Sequence, residues 1–563
     1  GVLRRELDLR NVEELSISVR RVARALTSGA YRRRTIPIGG EEIDSEDYED
    51  ESAISPEARA LGRPYFEVMI VDSVNEHQER FLRNALHRAR RPEDPFHYEP
   101  VVVPSVEDAL IGILFNHNVQ AVVVRPGLVL KSHNELPLLK KYLDTLGTEG
   151  EVEHITPSEY GPEACRLIAR MRPELDAYLV TDRSAEEIAG LDLGRCRRVF
   201  YNQEDFMELH LNILRGVGAR FKTPFFTALK EYSRQPTGVF HAMPISRGKS
   251  ITRSHWIQDM GAFYGPNIFL AETSATSGGL DSLLEPRGPI KEAQDMAARA
   301  FGSKQTFFAT NGTSTCNKIV VQALCKPGDI VLVDRDCHKS HHYGMVLAGA
   351  HVVYMDSYPL HQYSMYGAVP LREIKHQLLK LKAAGKLDKV RMVLLTNCTF
   401  DGIVYNVQRV MEECLAIKRD LIFLWDEAWF AFARFNPTYR QRTAMDVANT
   451  LRECLRTPET AEAWEKQQKE LEGADDETIL NTRLVPPPDA RVRAYGTQST
   501  HKTLTSLRQG SMIHVNDQDF KGEVEQAFHE AYMTHTSTSP NYQIIASLDV
   551  GRRQVELEGF GFT

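Results

Sequence analysis

Two tetrapeptides carry side chains able to do covalent chemistry: Ser499-Thr500-His501-Lys502 and, upstream, Asp426-Glu427-Ala428-Trp429. Each follows a segment that reads as a buried strand, Arg493-Ala494-Tyr495 in the first case and Leu421-Ile422-Phe423-Leu424-Trp425 in the second. An ordinary lysine has a pKa of about 10.4 and is protonated at neutral pH. Held in a partly buried turn or near other cations, it loses its proton more readily and becomes a nucleophile toward a carbonyl carbon. Asp426 follows an apolar run, so its carboxylate is expected to be partly buried. A buried carboxylate needs a cationic or hydrogen-bonding partner, and a protonated ring nitrogen is one.

Other strand ends add to these two. The loop Thr310-Asn311-Gly312-Thr313-Ser314-Thr315 joins a strand to a helix. Gly312 permits a tight turn, and hydroxyls with free amides at a helix N-terminus make a phosphate site. Ser and Thr are also the commonest helix caps, so this loop alone decides nothing. His338, in Asp334-Arg335-Asp336-Cys337-His338-Lys339-Ser340, follows the next strand and offers a flat imidazole to stack on an aromatic ring. Beside His341 and His342 it reads equally as a surface or capping histidine. Thr399 and Asp401, in Thr396-Asn397-Cys398-Thr399-Phe400-Asp401-Gly402, end a third strand, where they also serve simply to shape a turn. Ser499 and His501 flank the lysine as further phosphate-binding groups. An amine, a carboxylate for a ring nitrogen, a stacking imidazole and a phosphate loop are what pyridoxal phosphate requires. The amine forms a Schiff base, and the carboxylate keeps the pyridine nitrogen protonated so that the ring accepts electrons.

A strand–helix alternation beginning near residue 241 must hold these residues. Gln305 to Thr310 reads as a strand, Cys316 to Cys325 as a helix, Lys326-Pro327-Gly328-Asp329 as a turn and Ile330 to Asp334 as the next strand. A helix at 341–347 and strands at 352–355, 392–396, 421–425 and 511–515 follow. The pattern predicts a doubly wound α/β sheet whose ligands sit beyond the carboxyl ends of its strands. Every candidate above falls at such an end. Between 443 and 490 a charged, helix-rich insertion ends in Pro486-Pro487-Pro488 and reads as a solvated helical pair or a subunit contact.

Upstream, residues 1–62 hold a short amphipathic helix at 12–27 and an acidic run at 41–51, expected to act as a linker or contact tail. From 63 to 203, short apolar strands at 66–71, 101–103, 121–124, 177–180 and 198–201 alternate mostly with helix-compatible segments. This is the alternation of a small parallel α/β domain. It resembles a response-regulator receiver of the flavodoxin type. A receiver needs a phospho-accepting aspartate at the end of its third strand, but here that strand runs into Arg125-Pro126. Asp72, near the first strand, reads as a loop carboxylate. An assembly module is expected rather than a phosphorylation switch. Residues 204–240 read as a linking helical region ahead of a catalytic domain at 241–550.

Seven motifs recur in order. They are Gly288-Pro289-Ile290-Lys291-Glu292-Ala293, Asn311-Gly312-Thr313-Ser314-Thr315, Asp336-Cys337-His338-Lys339-Ser340, the segment 396–402, Asp426-Glu427-Ala428-Trp429-Phe430, Ser499-Thr500-His501-Lys502, and Thr534-His535-Thr536-Ser537-Thr538-Ser539-Pro540. Together they resemble the bacterial ornithine/lysine/arginine decarboxylase family. The resemblance implies a fold-type I, aminotransferase-like α/β domain preceded by a receiver-like wing used in assembly. It implies that Lys502 carries the cofactor, Asp426 pairs with the ring nitrogen and His338 stacks on the ring. Gly312, Thr313, Ser314, Ser499 and His501 would hold the phosphate, with Thr399 and Ala428 also in the cofactor site. Ser537, in the run 536–539, would reach the site of a neighbouring subunit, making a homodimer obligatory and leaving a decamer of dimers open. The implied activity is decarboxylation of lysine, ornithine or arginine to CO2 and a diamine or agmatine. Where the family shows a His-Thr-Pro-Gly-His-Lys-type segment, this chain has His241-Ala242-Met243-Pro244-Ile245-Ser246-Arg247-Gly248-Lys249, so contacts made there do not carry over. The family also continues well beyond the last motif, so 551–563 reads as the start of a C-terminal domain that is truncated or missing.

Composition sets outer bounds. Across 563 residues, 42% hydrophobic and 26% charged content suits a soluble globular protein. A net charge of −8 argues against a nucleic-acid binder. Eight scattered cysteines with no CxxC pair read as reduced thiols rather than disulfides or a zinc site. No apolar run approaches the roughly 18 residues of a membrane span. The start Gly1-Val2-Leu3-Arg4-Arg5 has no signal-peptide core, so a cytoplasmic location is expected. Two other readings stay open: another fold-type I reaction such as transamination or aldol cleavage, and a catalytically silent scaffold. Intact Lys502 and Asp426 speak against the second. Nothing in the sequence chooses among the three basic substrates.

Overall fold

The computed structural model describes residues 63–134, 137–145, 156–236, 238, 240, 242–273 and 280–559. The helix expected at 12–27 and the acidic run at 41–51 lie outside the described residues. By internal contacts the chain divides into a unit of Gly1–Tyr65 with Glu93–His97, and a second, much larger unit. The larger unit holds both α/β sheets.

The first sheet has five strands, β1 (Tyr65–Val71), β2 (His97–Val103), β3 (Val119–Val124), β4 (Asp176–Thr181) and β5 (Cys196–Tyr201), in the order β2-β1-β3-β4-β5. The pairs β1/β3, β3/β4 and β4/β5 are parallel. Every residue of β3 and β4 is buried, so these strands show no polar alternation: helices cover both of their faces. At the carboxyl ends of β1 and β3, Arg125 donates to buried Asp72, and its Nε lies 2.8 Å from buried Glu204. One guanidinium thus serves two acids near the switch point of this receiver-like fold.

The region 204–240 is two helices with different loyalties. α1 (Phe206–Phe221) closes the first sheet: Arg220 donates to the backbone and side chain of Gln120 and pairs with Asp176. α2 (Pro224–Arg234) instead packs on the second layer, where the amides of Phe225 and Phe226 donate to Asp549. The expected linker is therefore the short break between them.

The second sheet has seven strands in the order β6-β14-β13-β12-β11-β7-β8. They are β6 (Gln305–Ala309), β7 (Ile330–Asp334), β8 (His351–Met355), β11 (Val390–Thr396), β12 (Ile422–Asp426), β13 (Arg493–Gln498) and β14 (Ser511–Asp517), with a small hairpin of β9 (Pro359–Leu360) and β10 (Met365–Tyr366) outside it. β14 alone runs opposite to the other six strands. The register aligns Thr396, Asp426 and Thr497 side by side at the carboxyl ends of β11, β12 and β13.

Helices cover both faces. They are α3 (Pro289–Phe301), α4 (Thr313–Leu324), α5 (Lys339–Ala348), α6 (Leu371–Ala383), α7 (Val407–Ile417), α8 (Ala444–Cys454), α9 (Thr500–Thr503) and α10 (Tyr542–Glu558). Side chains along β12 alternate between two apolar cores. Ile422 and Leu424 join the core with α3, α4 and α10, while Phe423 and Trp425 join that with α6, α7 and α8.

Two expected boundaries shift. The insertion at 443–490 is not solvated throughout, because Ala444, Met445, Val447, Ala448 and Leu451 form one apolar face of α8 that packs into the core. Only the helices Pro458–Glu470 and Asp476–Asn481 have no buried residue. The break expected after residue 550 falls inside α10, whose Gly551, Arg552, Val555 and Glu556 are buried. Among the described residues no helix is long and apolar enough to cross a membrane.

Candidate active site

The site is built at the aligned carboxyl ends of β11, β12 and β13. Asp426 is 3% exposed. Its Oδ2 accepts from Asn317 Nδ2 at 2.9 Å and from His341 Nε2 at 2.8 Å, and its Oδ1 accepts from the Ala428 amide at 3.1 Å. Burial alone would push this carboxyl up. The hydrogen bond and electrostatic pull of His341, with the bonds from Asn317 and Ala428, outweigh burial and hold the group below its ordinary value. Asn317 is itself oriented by Thr497, the β13 neighbour of Asp426, whose hydroxyl donates to Asn317 Oδ1 at 2.7 Å.

His338 caps α5, its Nδ1 lying 2.8 Å from Ser340 Oγ, and Ser340 in turn accepts from Asn317. His338 is exposed. Partial desolvation still pushes its pKa down against the opposing pull of Asp426, with His341 and Lys502 adding to the fall. Lys502 stands in α9, the single helical turn after β13. Burial lowers its amine below the ordinary lysine value, while the Asp426 carboxylate acts in the opposite direction. The structure thus brings Lys502, Asp426 and His338 into electrostatic reach of one another.

The phosphate-binding candidates gather at the start of α4. Gly312 adopts φ +78, which favours glycine, and a Cβ built on it meets nothing within 4 Å. The first amides of α4 have no partner within the helix, as at any helix N-terminus. Thr313 Oγ1 lies 2.5 Å from Ser499 Oγ, so a residue before Lys502 and one at the head of α4 share a corner. Ser314 is exposed beside them. His501 Nδ1 donates to the Gly510 carbonyl at 2.8 Å, which in the neutral ring leaves Nε2 an acceptor. Left-handed glycine, helix N-terminus and converging hydroxyls make a donor set that fits a phosphate ester, and ionised Asp426 fits a protonated ring nitrogen.

Thr399 and Ser537 are used locally. The Thr399 hydroxyl accepts from the Ile403 amide at 3.1 Å and closes a turn, the plainer of its two readings. Ser537 is exposed, and its hydroxyl accepts from the Ser539 amide at 3.1 Å within its own loop. Ala428 contributes its backbone amide to Asp426. Among the described residues no cluster of His, Cys, Asp and Glu is arranged to hold a metal ion.

A protein-family description, "Orn/Lys/Arg decarboxylase, major domain", matches residues 223–457 and 489–559. The chain belongs to the Orn/Lys/Arg decarboxylase family. The gap between the matched segments falls on the exposed helices after α8, so α8 is part of the family's domain. A lysine decarboxylase of Pseudomonas aeruginosa is 33% identical over 69% of this chain and 48% of its own length. The biodegradative arginine decarboxylase of Escherichia coli is 27% identical over 86% of this chain and 57% of its own. The inducible ornithine decarboxylase of the same species is 27% identical over 73% and 50%. The chain therefore spans about half the length of the curated relatives it matches.

Three residues that orient the family site escape sequence reasoning. His341 sits one helical turn after His338, a spacing that puts both on one side of α5, but three nearby histidines look alike in a string. Asn317 lies inside a helix with no motif around it. Glu427 is fully buried and accepts from the Ala444 amide, Gln498 and Asn397. Burial raises its pKa to about 7 against those bonds.

Proposed function

We propose that this chain catalyses pyridoxal phosphate-dependent decarboxylation of a basic amino acid. The observation that carries the reading is the convergence of Lys502, the ionised Asp426 and the Thr313–Ser499 hydroxyl corner at one end of a family-typical sheet. Bound pyridoxal phosphate supplies the electron sink that stabilises the carbanion left by loss of CO2. The chain's residues do the rest. Asp426, kept ionised by His341, Asn317 and the Ala428 amide, holds a proton at the pyridine nitrogen. Thr313, Ser499 and the first amides of α4 bind the phosphate, with Gly312, Ser314 and His501 around them. His338 would stack on one face of the ring. Lys502 would hold the cofactor through its amine and, with the amine free, would move a proton at the substrate α-carbon.

Lysine, ornithine and arginine are equally supported as substrates, since relatives named for each match the chain. Self-association into a homodimer belongs to the same reading, with the loop carrying Ser537 reaching a neighbouring copy. Asp72 and Glu204 share Arg125, which occupies the space between them, and this favours assembly over phosphorylation as the work of the N-terminal sheet. The purified chain, supplied with cofactor, should release CO2 from at least one of carboxyl-labelled lysine, ornithine and arginine. Lys502→Ala should lose both CO2 release and the visible absorbance of protein-bound cofactor. Bound cofactor with no CO2 from any of the three would overturn the decarboxylase reading, and an unchanged band in Lys502→Ala would remove the lysine from its role.

A further inference from the structure

Lys502 Nζ lies 4.4 Å from the centroid of the Trp429 ring. Among the described residues the amine makes no hydrogen bond and no salt bridge, and it rests on the indole face. Asp426, which accepts from His341, Asn317 and the Ala428 amide, raises the amine's proton affinity electrostatically but makes no direct bond to it. Lys502 is itself exposed, and an exposed lysine normally keeps its ammonium in water. This one lies over an aromatic face within the separation at which a ring quadrupole attracts a cation.

The indole is 41% exposed, but the turn beneath it is anchored. Trp429 follows Glu427 and Ala428, which are tied to Ala444, Gln498, Asn397 and Asp426. Phe400 packs near-perpendicular against the indole, with centroids 6.4 Å apart and planes at 79°. One hydrogen-bonded turn therefore carries both the buried carboxylate and, three residues on, the ring that faces the lysine. The turn links the group that would meet the ring nitrogen to the group that meets the free amine.

We infer that Trp429 is the dock for the Lys502 ammonium whenever that amine is not bonded to the cofactor, which makes it a positioning residue. The inference rests on the proposed role of Lys502. In each turnover a substrate amine takes the lysine's place, and the displaced side chain must stay close to return. A cation–π contact does this without a hydrogen-bond acceptor that would have to be broken first. It also favours the protonated amine while leaving the substrate's carboxylate unopposed by any added negative charge.

The test is a series of the full-length chain with mono-, di-, tri- and tetrafluorotryptophan at position 429, which drains the ring quadrupole at nearly constant shape. After removal of the cofactor, the pH midpoint of Lys502 acetylation is read by mass spectrometry. The midpoint should fall stepwise with fluorination, so that labelling at a fixed pH below it rises by about threefold to tenfold across the series. Trp429→Leu should match the far end. A flat series overturns the dock, as does a change confined to the high-pH plateau, which reports access alone. Reloading each sample with pyridoxal phosphate separates the two ideas. Failure of the unmodified chain to regain the cofactor band counts against the proposed function, whereas the fluorination series reads the dock regardless.

Discussion

His341 donates from Nε2 to Asp426 across 2.8 Å, and both side chains are sealed from solvent. Its other ring nitrogen has no hydrogen-bond partner among the described residues. The imidazole is therefore committed to the carboxylate.

Removing it should release the brake on Asp426. A hydrogen bond to a buried charge contributes about 1.5–3 kcal/mol, a factor of roughly 10–100. His341→Ala should weaken cofactor affinity or slow CO2 release by that order, and His341→Gln, which keeps a donor, should recover part of it. Cofactor titration and turnover read side by side check this. Wild-type values in the alanine variant would show that Asn317 and the Ala428 amide suffice.

Glu427 gives a pH prediction whose direction follows from its raised pKa of about 7. The unfolded carboxyl gives up its proton near 4.5, while the folded one keeps it to about 7. Across that window the folded state binds more protons, so stability falls as pH rises and then levels off. The group's share is about 3 kcal/mol, favouring acid. Glu427→Gln should lack this dependence, so unfolding at pH 5 and pH 8 should show the wild type gaining on the variant at the lower pH. Parallel profiles would mean that the carboxyl is ionised when folded.

The strand-end logic was readable because a solid apolar run before Asp426 signals a strand buried on both faces, and the residue after such a strand meets the site. The direction of β14 was not readable, since an apolar run from Ser511 onward has the same pattern either way round. α8 was obscured for another reason: Arg442, Asp446, Arg452 and Glu453 surround its apolar face and give the stretch a solvated look. The pairing of His341 with Asp426 depends on how α5 sits against β12. That is a tertiary relation, invisible to spacing along one chain.

Lys375 should control the segment after α8 without touching the site. Buried on α6, its Nζ donates to Glu413 at 2.7 Å and to the carbonyls of Leu480 and Thr482 at 3.1 and 2.7 Å. Lys375→Met strands a buried carboxylate with only Arg409 as partner, a loss of about 3–5 kcal/mol. Limited proteolysis should then cut near residues 470–485, and the unfolding midpoint should drop. Resistance equal to the wild type would show that the helix pair is anchored elsewhere.

Arg125 offers the test of the N-terminal sheet. It is the shared cation of Asp72 and Glu204, both nearly fully buried. Burial pushes the Asp72 carboxyl up, and the guanidinium opposes it. Arg125→Ala leaves two buried acids facing a vacated cation position, which should destabilise the fold by about 3–5 kcal/mol at neutral pH. Two treatments should restore it: acid, which neutralises the carboxyls, and millimolar magnesium, a hard cation that prefers oxygen ligands. The wild type, with its cation built in, should ignore magnesium. Calorimetric scans of both proteins with and without the ion decide the matter, and a magnesium response in the wild type would mean that Arg125 does not fill the acidic pocket.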